Sequence, residues 1–144
     1  MEIATIGFTQ SSAEHFFGRL RSAGIRRLVD VRRHNVSQLA GFSKGPDLRY
    51  FLQEICGADY EHDLRLAPTD ELLTAYRKRS IDWETYGDQF VELMTERGIP
   101  GSLQRAEFAQ KTALLCSEAE PSRCHRRLVA ELLAQAWDAD IQHL

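Results

Sequence analysis

The sequence predicts an α/β protein, a mostly parallel sheet of four to five strands flanked by helices, and three observations carry that expectation. Short apolar runs such as Ile3 to Phe8 alternate with longer stretches of helical spacing. A strand, a helix and a second strand fit within the first 32 residues, the length of a βαβ unit. Ala113-Leu114-Leu115-Cys116 is apolar without alternation, as strands buried on both faces are.

Ile3 to Phe8 reads as the first strand, closing at Gly7-Phe8-Thr9. Ser11 with Glu14 is a capping-box pattern for a helix whose apolar face is Phe16, Phe17 and Leu20, and Gly24 suits its left-handed end. Ile25 to Arg32 is the second strand, which the βαβ reading pairs in parallel with the first. Residues 33–46 read as a polar loop closing at Gly45-Pro46. Asp47 to Cys56 has helical spacing (Leu48, Phe51, Leu52, Ile55) and stops at Gly57, before a short strand from Ala58 to His62. Thr69 opens a helix with Asp70 and Glu71 in its first turn, where acids suit the helix dipole. Asp82 caps another, carrying Tyr86, Phe90, Leu93 and Met94 and ending at Gly98, and a short helix spans Ser102 to Ala109. Lys111 to Cys116 is a strand, Ser117 to Pro121 a turn, Ser122 to Ala136 a helix, and Ile141 to Leu144 a last strand.

The 144 residues suit one domain, 1–144, with 43% hydrophobic and 27% charged residues, an ordinary globular balance. No stretch approaches the ~20 apolar residues of a membrane span, so no membrane partner is expected. Met1-Glu2-Ile3 leads straight into the folded pattern without a basic signal region, making the cytoplasm the expected location. A net charge of −3 argues against a surface that grips nucleic acid everywhere, although 15 Arg against 3 Lys favours a planar fork suited to carboxylate or phosphate. Three Cys do not make a disulfide framework; they are buried hydrophobes or they do chemistry.

In open parallel sheets, ligands bind beyond the carboxyl ends of the strands. There the first strand delivers Thr9, and the second delivers Asp30 and Arg32 on one face, followed by His34 and Ser37. The Lys111–Cys116 strand delivers Cys116, Ser117 and Glu118, and the next helix begins with Arg123, Cys124, His125 and Arg126. Cys116 is a candidate nucleophile, since nearby Arg, His or a helix N-terminus stabilises a thiolate; it also reads as a small residue finishing a buried strand. Cys124 shares a stripe with Leu128, Val129, Leu132 and Leu133, which favours packing. His125, beside a thiol, can serve as its base or cation. Cys56 reads as core, and His15, His62 and His143 as solvated or satisfied. A metal held by Cys116, Cys124, His125 and His34 is weakly signalled, because seven residues separate the two Cys where structural zinc sites show Cys-x2-Cys. A disulfide between them is sterically open. Arg26, Arg27, Arg32 and Arg33 form one basic run and Arg123, Arg126 and Arg127 another, fit for phosphate, with Glu118 and Glu120 between them repelling an anion.

Three blocks resemble the family catalogued as "domain of unknown function 488". They are Thr5-Ile6-Gly7-Phe8-Thr9; Leu28-Val29-Asp30-Val31-Arg32 with Ser37 and Gly41-Phe42-Ser43-Lys44; and Leu115-Cys116-Ser117-Glu118 running to Cys124-His125-Arg126. Members commonly carry Pro after Asp-Val-Arg, where this chain has His34-Asn35-Val36. The resemblance implies membership and no established activity. A fainter likeness of layout joins Asp-Val-Arg and the strand-end Cys to the rhodanese domain, without a regular anion loop closed by Arg.

The leading expectation is an enzyme with Cys116 as a nucleophilic or redox-active thiol, its pKa depressed by His125 and Arg126. Asp30 orients Arg32 onto an anionic substrate group, Glu118 moves a proton, and Cys124 resolves or supports the thiol. Thr9, His34, Ser37, Lys44 and Arg126 complete the substrate-binding set. The competing expectations are a nucleic-acid or nucleotide phosphate-binding module on Arg32, Arg33, Lys44 and Arg126, and a metal-site protein. The partner is thus an anionic small molecule or nucleic acid, and the sequence points to no cofactor.

Overall fold

The computed structural model describes residues 1–36, 41–118 and 121–144, so Ser37 and Glu120 lie outside the described residues. Five strands, β1 (Glu2–Gly7), β2 (Arg27–Asp30), β3 (Asp59–His62), β4 (Thr112–Cys116) and β5 (Asp140–His143), form one sheet in the order β3-β2-β4-β1-β5. Every pairing in it is parallel. The helices are α1 (Ala13–Ser22), α2 (Gly45–Phe51), α3 (Asp70–Arg77), α4 (Trp83–Glu96) and α5 (His125–Trp137).

The sequence of steps across the sheet decides where each helix goes. The chain moves one way from β1 through β2 to β3, then the other way to β4 and on to β5. Parallel crossovers are right-handed, so a reversal of direction changes the face on which the connecting helix packs. The two core clusters divide accordingly. Phe16, Phe17 and Leu20 of α1 and Leu48 of α2 pack on one face with Ala113 and Leu115 of β4. On the other face Leu72 of α3, Phe90 and Met94 of α4, and Val129 and Leu133 of α5 pack with Leu114 and Cys116. Cys116 therefore stands at the carboxyl end of the central strand, where the winding reverses and a crevice opens.

The local signals explain most boundaries. Thr69 Oγ1 accepts from Leu72 N at 3.2 Å and Asp82 Oδ1 from Thr85 N at 2.8 Å, capping α3 and α4 as expected. Gly24 has φ +70°, a conformation that terminates α1 without the strain a side chain would bring. Replacing Thr69 by Ala is expected to cost about 1 kcal/mol by removing the cap, read as a lower urea midpoint with unchanged slope.

Several expectations are corrected. Ser12, not Ser11, caps α1, its Oγ accepting from His15 N at 3.1 Å. Gly45-Pro46 opens α2 rather than closing the loop, Pro lying in the first turn where its missing N–H is harmless. That helix then widens into a π turn over Leu52–Cys56. The helix expected over 102–109 is a 3-10 turn at Arg105–Ala109, and α5 begins at His125 after a 3-10 turn at Pro121–Arg123. β1 and β2 are parallel but do not pair, because β4 lies between them. The five buried residues of β4 gain most from the centre, covered on both faces and both edges. Among the described residues, no helix is long and apolar enough to cross a membrane.

Candidate functional site

The chain leaving Cys116 is folded back onto β1. Gly7 pairs in register with Cys116, and the N–H groups of Phe8 and Thr9 donate to the Ser117 carbonyl at 3.3 and 3.0 Å. The Arg126 guanidinium, 1% exposed, donates to the Glu118 carbonyl. A Cβ on Gly7 would lie 1.7 Å from that carbonyl oxygen, so only glycine admits the turn. Gly7→Ala is expected to push residues 117–118 outward and to change the reactivity of Cys116, measured as its alkylation rate against that of Cys56.

Cys116 Sγ lies 3.7 Å from Nδ1 and 3.9 Å from Nε2 of His125. Nε2 is also 2.7 Å from the Val31 carbonyl oxygen, which can only accept, so Nε2 carries a hydrogen. Nδ1 is then the nitrogen left to exchange a proton with the sulfur. Phe90 packs against the imidazole with ring centroids 5.3 Å apart, fixing its plane from the α4 side. The Cys116 and Cys124 sulfurs and a His125 ring nitrogen all lie within 4.8 Å of one another.

The two thiols titrate in opposite directions. The Cys124 S–H donates to Cys116 and holds the Cys116 thiol below its ordinary value; burial opposes this, while the Ser117 N–H and Arg126 reinforce it. Cys124 is pushed well above the ordinary value, first by that same bond and then by burial. Ionisation is thus favoured at Cys116 and opposed at Cys124, whose S–H stays directed at the other sulfur.

Asp30 points to the α1–α2 face with Leu28, opposite to Cys116. Arg32 binds it through Nε at 2.8 Å and a terminal nitrogen at 2.7 Å, the two-point geometry of a guanidinium on a carboxylate. The Tyr60 hydroxyl donates to Asp30 at 2.7 Å, Asn35 donates to that hydroxyl at 3.1 Å, and Arg32 also donates to the Ser43 carbonyl at 2.6 Å. Burial works against the Arg32 charge, but Asp30 outweighs it and raises the guanidinium above its usual value. One terminal nitrogen, NH1, is buried with no hydrogen-bond partner among the described residues. Arg32 also lines the cleft shared with Cys116, which links the two faces at the sheet edge.

That cleft has a volume of about 120 Å3. Cys116, Cys124 and His125 line it with Arg33, Arg77 and Arg123, and a wall is aromatic, from Tyr76, Trp83 and Tyr86. Trp83 and Tyr86 stack at 5.4 Å, and Tyr76 and Tyr86 lie 4.8 Å apart.

Of the residues expected at a site, Cys116, Cys124, His125, Glu118, Arg32 and His34 line this cleft. Asp30 and Arg126 are buried behind it, reaching it through Arg32 and through the Glu118 backbone. The Glu118 side chain is exposed. His34, 63% exposed, binds Asp70 at 2.8 Å, and that contact holds the Asp70 carboxyl below its usual value. Thr9 and Lys44 do not line the cleft, and Ser37 is outside the described residues. Cys124 is both the apolar-stripe residue expected and a neighbour of Cys116, because it caps α5 just where that helix meets the end of β4. Cys56 is half-buried, its S–H 3.7 Å from the Phe17 carbonyl oxygen. His62 and His143 are satisfied by Arg32 O at 2.7 Å and Thr5 Oγ1 at 2.6 Å, and His15 is exposed.

Sequence reasoning missed the aromatic wall and Arg77. Tyr86 read as core, which it is, and its packing against Tyr76 and Trp83 follows from α3 and α4 being antiparallel neighbours in sequence. The Val31 carbonyl that fixes the His125 ring carries no side-chain signal at all.

These observations define a class: a parallel α/β protein with two thiols and an imidazole gathered where the sheet reverses its winding. The match to a family model described as "Domain of unknown function DUF488" covers residues 12–133, and the chain belongs to that family. No curated protein and no solved structure matches the chain significantly.

Proposed function

We propose that this protein is a cysteine-dependent enzyme that acts on an anionic substrate in the cleft at the carboxyl edge of the sheet, with Cys116 as nucleophile. The observation that carries the reading is the Cys116 sulfur against the His125 ring, 3.7 Å from Nδ1 and 3.9 Å from Nε2, with Nε2 tied to the Val31 carbonyl. A positioned base beside a thiol, oriented by a third group, is the arrangement an activated nucleophile needs. The Cys124 S–H donates a hydrogen bond to the Cys116 sulfur, and Arg126 with the Ser117 N–H favours its charge. His125 Nδ1 takes the Cys116 proton as the sulfur attacks and bonds to the electrophilic atom; the leaving group departs with its bonding pair and takes that proton from Nδ1. Water, giving a proton to Nδ1, then bonds to the same atom, and the sulfur leaves with its bonding pair and recovers that proton.

The anionic character of the substrate is supported by Arg33, Arg77 and Arg123 around the same cleft. Glu118, at the mouth, is exposed, which fits a carboxylate that repels rather than one that moves a proton in a dry site. A nucleic-acid surface is less well supported, since Arg32 is spent on Asp30 and Arg126 on the Glu118 carbonyl, both buried.

Inorganic phosphate and a small aryl phosphate test the anion site by protecting Cys116 from iodoacetamide. Protection is expected in the native chain and a several-fold higher half-protecting concentration in Arg123→Ala. Equal protection of Cys56 would show a non-specific effect and remove the anion assignment. Duplex DNA binding that weakens steeply with salt, together with indifference of that binding to thiol blocking, would favour the phosphate-backbone reading instead.

A further inference from the structure

We propose that Cys116, Cys124 and His125 form a binding site for one thiophilic metal ion of the zinc type, with its fourth position open to the cleft. The inference goes beyond the nucleophile reading and constrains it, because an ion on the Cys116 sulfur silences that sulfur.

The sequence spacing argues against such a site; the fold supplies it. β4 ends at Cys116, the chain turns back over Gly7, and Cys124 sits at the start of α5, so two sulfurs seven residues apart are brought together. All three side chains are buried, at 7%, 3% and 6% exposure, and all line the cleft.

Geometry favours a tetrahedral ion. With Zn–S of about 2.3 Å and Zn–N of about 2.0–2.1 Å, a tetrahedral angle places sulfur and nitrogen about 3.6 Å apart. Cys116 Sγ and His125 Nδ1 are 3.7 Å apart, and the whole group spans no more than 4.8 Å. The sulfur of Cys124 lies within that same 4.8 Å of both, near enough to supply the third ligand.

The imidazole is already in the ligating tautomer. Metal-bound histidines donate their other ring N–H to a carbonyl or carboxylate, which fixes ring orientation. His125 Nε2 does this with the Val31 carbonyl at 2.7 Å, which leaves the lone pair of Nδ1 as the one that can ligate. Two thiolates balance the charge of a divalent ion, and their softness selects zinc or copper(I) over magnesium or calcium. Three protein ligands leave one position for a group from the cleft, which all three line. An open position is what distinguishes exchangeable or reactive zinc from a closed structural site.

The test uses the full chain, reduced and stripped with chelator, titrated with Zn2+ against a chromophoric competitor and followed by iodoacetamide labelling resolved by peptide mass spectrometry. One ion per chain is expected, with a Kd below about 1 µM. At about 100 times Kd, labelling of both Cys116 and Cys124 is expected to slow by about 100-fold, the free fraction that mass action leaves. Cys56 is expected to label at an unchanged rate, and Cys56→Ser to bind the ion as the native chain does. His125→Gln is expected to weaken binding at least about 10-fold. No micromolar binding by the native chain, or protection that omits Cys124, overturns the site. Neither result depends on a variant folding. The labelling rate of metal-free Cys116, read in the same experiment, judges the nucleophile reading separately: a slow metal-free sulfur with tight zinc would remove that reading and keep the metal site.

Discussion

Cys116 is expected to alkylate as a thiolate at pH values where Cys56 scarcely reacts. The direction follows from the two shifts: the bond from the Cys124 S–H lowers the Cys116 thiol, whereas burial raises that of Cys56. An ordinary thiol near 8.5 is only about 3% ionised at pH 7, and its rate climbs about tenfold per unit of pH. The Cys116 rate is expected to level off below the ordinary thiol value, while the Cys56 rate is still rising and Cys124 stays slow until higher pH. Cys116→Ser is expected to remove the low-pH phase entirely and, with it, any thiol-dependent turnover, while circular dichroism is unchanged. Cys124→Ala is expected to move the Cys116 midpoint upward, because it deletes the largest contact that favours the Cys116 thiolate. The linkage to stability has a definite sign. The lowered Cys116 thiol stabilises the fold above the ordinary thiol value, and that contribution fades as pH falls through its own lowered one. The raised Cys124 thiol does the reverse, costing stability as pH climbs past the ordinary value. Labelling of all three thiols only at or above the ordinary value would make them core residues.

The second large effect is on stability. Asp30→Ala is expected to cost about 3–5 kcal/mol in urea unfolding, the range for removing one partner of a buried ion pair. Asp30 is fully buried and is the acceptor for Arg32 and Tyr60 at once, so its loss strands a guanidinium and a hydroxyl in the interior. Replacing both charges with apolar groups of similar size, Asp30→Leu with Arg32→Met, is expected to cost far less than the single change, since neither charge is left unpaired. Additive costs in that double-mutant cycle would show that the pair is not coupled. The same substitution bears on the cleft, because Arg32 reaches it only while Asp30 holds the other side of its fork.

Much of the fold was legible because its signals are local. Caps at Thr69 and Asp82, the helix stop at Gly57 and the apolar run of β4 each depend on a few neighbouring residues. The order of strands was not legible, since nothing near Ile25–Arg32 tells it that residues 85 positions further on will occupy its edge. Cys116, His125 and Arg32 could be gathered in advance by the rule that ligands sit at carboxyl ends of strands, without knowing the order. The partnership of Cys124 with Cys116 was raised there too, as a resolving or supporting thiol, but not its geometry. It depends on the turn over Gly7 and on where α5 starts, three residues later than its spacing suggested. The Trp83 and Tyr76 wall was hidden for a different reason: aromatic residues at helical spacing read alike whether they fill a core or face a cleft.

The central place of β4 also governs when this chemistry can exist. A chain that has emerged only through β3 lacks the strand that lies between β1 and β2, which share no ladder of their own. Ile3 finds its partner Thr112, and Arg27 its own neighbour in the same Thr112, only after more than a hundred residues have followed the first strand. The strand that completes the sheet is the one that ends in Cys116, so the neighbourhood that this sulfur shares with Cys124 and His125 is a property of the finished sheet.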